Sequence, residues 1–110
     1  MMQEETFGPL LPVMKVASNR EAIDRANALD VGLAAYLFGT DYRKLTAAAE
    51  ALEFGIVSIN DGAPTAVQAP FGGWKSSGIG RENGHWGMEG YLELKYISLG
   101  GLSEHPIDDL

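Results

Sequence analysis

Few side chains in this sequence are equipped for covalent or acid–base chemistry. The 110 residues contain no cysteine, which removes a thiolate nucleophile, a disulfide, iron–sulfur ligation and Cys-based zinc in one step. The two histidines, His85 and His105, form neither an HxH nor an HxxxH pair, so no metal site is expected. His85 stands beside Trp86 and has a titratable ring, but on a short, glycine-flanked helix a structural role is the commoner one. Glu4 and Glu5 look like paired acids; in an extended segment, however, neighbouring side chains point to opposite sides, so at most one faces a ligand. Asp61 follows a strand end and is a turn former first.

The glycine-rich stretch DGAPTAVQAPFGGWKSSGIG suggests phosphate binding, and it fails the mechanical test. Gly78, Gly80 and Asn83 give G-x-G-x-x-N, which lacks the third glycine of a dinucleotide turn and follows no buried strand. Lys75 is preceded by Trp74, so there is no G-K pair of a phosphate loop. The glycines read instead as positions of close backbone approach and positive φ.

The elements that position these residues follow from spacing. Leu10 to Ala17, LLPVMKVA, is β-branched and apolar and reads as a strand. Ser18 and Glu21 form an S-x-x-E cap ahead of Ala22, Ile23, Ala26 and Leu29 at helical spacing, with Gly32 as a left-handed stop. Leu33 to Phe38 is a continuous apolar run, the mark of a strand in a parallel sheet. Asp41 caps a second helix with the stripe Tyr42, Leu45, Ala49 and Leu52, ending at Gly55, and Gly55 to Asn60 is a third strand.

The order β-α-β-α-β with short connections predicts a three-stranded parallel sheet with its helices on one face. The fold class is therefore α/β, half of a doubly wound sheet whose other face lacks cover. Ligands of such sheets bind beyond strand C-terminal ends, which draws attention to Asn60, Asp61 and Thr65. A short helix over Gly84 to Tyr91 and a strand over Leu92 to Leu99 close the pattern, followed by a polar tail.

Composition bounds the class of function. Eight Lys plus Arg against fifteen Asp plus Glu give a formal charge of -7, which disfavours nucleic acid and anionic lipid as partners. The longest uncharged stretch, Gly62 to Trp74, is interrupted by Pro64 and Pro70, and the start MMQEE is acidic where a signal peptide is basic. A cytoplasmic chain is expected. Size scaling predicts about 5,900 Å² of folded surface and one modest core.

Three stretches resemble the C-terminal part of the aldehyde dehydrogenase superfamily: EETFGP at Glu4 to Pro9, PFGGWKSSGIGRENG at Pro70 to Gly84, and YLELKYISLGGL at Tyr91 to Leu102. The likeness runs from about Met2 to Leu102 and is greatest to the succinate-semialdehyde dehydrogenases. It implies a partial aldehyde dehydrogenase catalytic domain over residues 1–91, an oligomerisation strand over 92–102 and a solvated tail over 103–110.

The resemblance also implies a chemistry. In that family a cysteine thiolate attacks the aldehyde, hydride passes to NAD or NADP, and a glutamate-activated water releases the acid. Glu5 is implied to accept hydrogen bonds from the nicotinamide ribose and Phe7 to pack beside the nicotinamide. A carboxylate suits a vicinal diol because it can accept both hydroxyls. Thr65 and Phe71 map onto the substrate tunnel, Thr65 at a position where succinate-semialdehyde enzymes carry a carboxylate-binding serine.

The family's cysteine, general base, oxyanion asparagine and dinucleotide-binding domain all precede EETFGP. Alone, the 110 residues are therefore expected not to oxidise aldehydes and not to hold NAD or NADP tightly. The implied partners are further copies of the chain, as a homo-oligomer, or the N-terminal portion of the enzyme. The alternative is a non-catalytic, self-associating assembly module derived from the same family.

Overall fold

The structure, a computed structural model, describes residues 4–100. From residue 4 to 17 the chain forms no helix and no strand. Helix α1, Asn19–Asn27, starts where Ser18 accepts a hydrogen bond from the Glu21 N–H at 3.1 Å. The Glu21 carboxylate reaches back to the Ala17 N–H at 2.8 Å, one residue beyond the expected reciprocal partner. That bond first, and then the Arg25 guanidinium, holds the Glu21 carboxyl below the usual carboxylate range.

After α1 come β1, Val31–Gly32, and β2, Ala34–Leu37. Helix α2, Tyr42–Ala51, is capped by Asp41, whose carboxylate accepts from the Lys44 N–H at 3.3 Å and is held below its ordinary range by that bond and by the Lys44 side chain. β3, Ile56–Ile59, pairs in parallel with β2, Ala34 opposite Ile56 through Leu37 opposite Ile59. α2 packs against β3 and α1 against α2. β4, Trp74–Lys75, pairs antiparallel with β1, and α3 spans Gly84–Glu89.

Both helix caps, the two inner strands and the parallel crossover therefore lie where spacing predicts them. Three expectations are corrected. The parallel sheet has two strands, because Leu10 to Ala17 forms no strand and a strand exists only where another offers its N–H and C=O groups. Leu92 to Leu99 likewise pairs with no strand among the described residues. Neither Gly32 nor Gly55 is a left-handed stop: α1 ends at Ala28 in helical conformation and α2 at Leu52. Gly55 is instead a point of close approach, where a Cβ would overlap the Gly72 carbonyl oxygen.

Among the described residues the expected core is reduced to little more than Leu52. Leu52 and Ser58, 6% and 4% exposed, are the buried large hydrophobic and the buried polar residue among those described. The accessible area is 9617 Å², far above the value that size scaling gives for a closed domain of this mass.

Candidate functional site

After β3 the chain turns back. Asn60 takes a left-handed conformation, φ +55°, which asparagine tolerates better than most residues. Asp61 then makes a tight turn, its carboxylate accepting from the Ala63 N–H at 2.9 Å while its carbonyl accepts from the buried Ser58 hydroxyl at 2.7 Å. Asp61 is thus a turn residue, as its sequence position suggests.

The returning loop encloses an open cleft of about 250 Å³ lined by Gly55, Ile56 and Val57 on one side and by Pro64, Thr65, Ala66, Ala69, Pro70 and Phe71 on the other. Thr65 and Phe71 are thereby brought to the same cleft. It lies beside the first half of β3, not beyond the strand's C-terminal end, because the reversal at Asn60 and Asp61 carries the loop backwards. Thr65 is the one lining residue with a polar side chain, and no charged residue lines the cleft. Phe71 is half-buried and anchored by two backbone bonds with Glu82, 2.8 and 2.7 Å long.

The glycine-rich loop that carries Phe71 is tied to the turn after α1. Lys75, at φ +53°, donates to the carbonyls of Asn27 at 2.7 Å and Leu29 at 3.0 Å and pairs with the Glu53 carboxylate at 2.7 Å. Ser76 and Ser77 add bonds to the Asp30 carboxylate and the Gly32 N–H, 2.7 and 2.8 Å long. The Asn27 amide bonds the Ala51 carbonyl and the Glu53 N–H, linking the ends of α1 and α2. Arg81 donates to the carbonyls of Gly73 and Gly80, while Gly78, Gly80 and Gly84 take positive φ. The glycines serve backbone geometry, as expected. Asn27, Glu53 and Lys75 escape sequence reading because their partners are more than twenty positions away along the chain.

Glu5 and Phe7 lie elsewhere, on the irregular N-terminal segment. Both are exposed, Phe7 by 93%, and neither lines the cleft. These residues do not form a cradle for a dinucleotide on their own: the described chain encloses neither side chain. The imidazole of His85 lies against the Trp86 indole, centroids 3.7 Å apart. No group of three potential metal ligands exists among the described residues, and His105 lies outside them. An apolar groove of about 300 Å³ between α1 and α2 contains none of the predicted site residues. The cleft can therefore bind an apolar chain and offer it one hydroxyl, but holds no nucleophile, acid or base.

Comparison with known proteins gives this geometry its context. A family model described as the aldehyde dehydrogenase family matches residues 1–97. The mitochondrial succinate-semialdehyde dehydrogenase of Homo sapiens is 52% identical over 99 residues, 90% of this chain and 18% of that one. The 3-sulfolactaldehyde dehydrogenase of Pseudomonas putida is 46% identical over 99 residues, 90% of this chain and 20% of that one.

Among solved structures, succinate-semialdehyde dehydrogenase from Burkholderia pseudomallei superposes with a TM-score of 0.78 at 49% identity, over 82% of this chain and 19% of that one. Betaine aldehyde dehydrogenase from Staphylococcus aureus superposes with 0.83 at 47% identity, over 86% and 19%. The chain spans about a fifth of the length of the curated relatives it matches. With the two-stranded parallel unit, the returning loop and the glycine-rich segment all in place, this chain belongs to the aldehyde dehydrogenase family.

Proposed function

We propose that this chain supplies the C-terminal part of the catalytic domain of an NAD(P)-dependent aldehyde dehydrogenase of the succinate-semialdehyde type. The observation that carries the reading is the cleft beside β3, apolar throughout except for the Thr65 hydroxyl, with Phe71 held in its wall by the Glu82 bridge. Such a cleft suits a short aliphatic chain with an acceptor at one end. Succinate semialdehyde and 3-sulfolactaldehyde, the aldehydes that name two relatives, each carry an anionic group away from the aldehyde. The substrate class assigned is therefore an aldehyde with a distal anion, its oxygens accepting from Thr65.

The overall reaction joins an aldehyde, NAD(P)⁺ and water to give a carboxylate, NAD(P)H and two protons. The dinucleotide supplies the hydride acceptor, and Glu5 and Phe7 are assigned to its nicotinamide riboside end. Since the chain has no thiol, the nucleophile comes from residues other than these 110, and the chain alone is inactive. The partners assigned are the cysteine-bearing portion of the enzyme and further copies of the chain, and the compartment assigned is the cytoplasm, with mitochondria, where relatives are named, as the alternative. No described helix is long and apolar enough to cross a membrane.

The test joins this sequence to the upstream part of a succinate-semialdehyde dehydrogenase. NADH or NADPH formation at 340 nm with succinate semialdehyde is the expected result, and Thr65→Val should raise KM for the aldehyde roughly tenfold without changing KM for the dinucleotide. An unchanged aldehyde KM removes Thr65 from the site, and an inert chimera that folds refutes the enzyme reading in favour of an assembly module.

A further inference from the structure

We propose that Asn60 is the positioning residue of the substrate cleft: its side-chain amide binds the backbone at the end of β2 and so sets the direction in which the loop bearing Thr65 returns along β3. This rests on the reading of Thr65 as a substrate donor. As a residue just past a strand end, Asn60 is a candidate ligand contact. The structure assigns its polar atoms elsewhere. Its Oδ1 accepts from the Gly39 N–H at 2.9 Å, and its Nδ2 donates to the Gly39 carbonyl at 2.9 Å and to the Tyr42 hydroxyl at 3.3 Å. Both amide ends meet the same residue's backbone, which fixes the orientation of the amide, since an N–H requires the oxygen and a carbonyl requires the nitrogen.

The consequence is geometric. The Asn60 N–H still bonds the Leu37 carbonyl at 2.8 Å, so the ladder between β2 and β3 is intact up to this residue, and the amide then adds one more side-chain rung opposite Gly39. Held by that rung, the backbone at Asn60 stays left-handed and the chain reverses. Ser58 and Asp61 complete the reversal with bonds to the Asp61 carbonyl and the Ala63 N–H. Thr65 follows two residues later in the wall of the cleft. The path from β3 to the Thr65 hydroxyl is thus set by side chains that do not line the cleft. Glycine at this position would permit the left-handed turn but leave its direction unheld.

The test uses the purified chain. Because the sequence has no cysteine, a single cysteine at the exposed Val67 carries a fluorophore at one defined point of the loop. Amide exchange of Gly39, Ala63, Ala22 in α1 and Ala28 at its C-cap is followed by NMR in the parent and in Asn60→Gly, Asn60→Asp and Asn60→Ala.

In Asn60→Gly, exchange at Gly39 should accelerate roughly tenfold while α1 keeps its protection, and the probe at position 67 should gain local motion. Asn60→Asp keeps an acceptor for the Gly39 N–H but sets a carboxylate oxygen against the Gly39 carbonyl, so it should recover only part of the Gly39 protection. Asn60→Ala, with neither amide nor glycine's tolerance of positive φ, should fall furthest. A parent in which Gly39 exchanges at the unprotected rate, or an Asn60→Gly chain whose position 67 probe is unmoved, overturns the proposal. So does equal loss of protection at α1 and Gly39 in every variant, which marks a general fold contribution. A chimera in which Thr65→Val leaves the aldehyde KM unchanged while Asn60→Gly still loosens position 67 refutes the substrate reading and leaves the positioning role standing.

Discussion

Lys75 occupies a backbone conformation that lysine seldom adopts, and its ammonium is met by two carbonyls at the end of α1 and the Glu53 carboxylate. Three acceptors satisfy all three of its donors, which outweighs the conformational cost and pins the loop that holds Phe71. Lys75→Met should destabilise the fold by about 2 kcal/mol, read from the urea midpoint, with Lys75→Arg recovering part of the loss. A midpoint within error of the parent contradicts this role.

Glu21 and Asp41 make a second residue-scale prediction. Their carboxyls are lowered in the folded chain by the backbone N–H groups of Ala17 and Lys44 respectively, so near pH 4 the unfolded chain takes up protons that the folded chain does not. Their contribution is present at neutral pH and disappears as pH falls through the lowered folded values. Circular dichroism from pH 7 to 2 should show helix content falling in that window, and Glu21→Gln should flatten the part of the loss that belongs to α1.

At the scale of elements, what a segment becomes depends on what pairs with it. Leu92 to Leu99 alternates as a strand should, yet Leu94, Tyr96 and Leu99 are 102%, 89% and 93% exposed and no strand among the described residues lies beside them. An exposed alternating segment is an invitation to sheet addition by another chain. Introducing Tyr96→Pro together with Ile97→Lys should reduce the mass measured by light scattering, and an unchanged oligomer would falsify the strand-addition role. Within the folded part, Gly55 joins β3 to the glycine-rich loop by backbone contact alone. Gly55→Ala would place a methyl group on the Gly72 carbonyl and should cost about 2 kcal/mol or more, seen as a lowered melting temperature.

The whole molecule is open. Its Cα radius of gyration is 22.3 Å and its longest extent 75 Å, whereas a closed domain of this length has a radius near 13 Å. Phe7, Leu11 and Val13 at one end and Tyr91, Leu92 and Ile97 at the other are exposed, far more apolar surface than a lone soluble domain presents. The purified chain should therefore associate, and a monodisperse monomer with a sharp, cooperative melt would refute that. It should also produce no NAD(P)H at 340 nm from any aldehyde; a rate above the blank would show a nucleophile other than a thiol.

Local physics was legible directly. Ser18 and Asp41 cap helices because their side chains reach N–H groups three residues on, and Asp61 turns the chain by the same short-range logic. The continuous apolar run Leu33 to Phe38 marks β2, the segment Gly55 to Asn60 marks β3, and the long motifs mark the family. The pairing of strands was not legible, because alternation identifies a segment that wants a partner without supplying one; hence two strands stand where three were expected. Nor could spacing show that the loop after β3 returns beside the strand's first half, or that Asn60, Lys75 and Asn27 hold it there. Those contacts join residues 18 to 48 positions apart, and only the folded chain decides which distant carbonyl an amide or ammonium will meet.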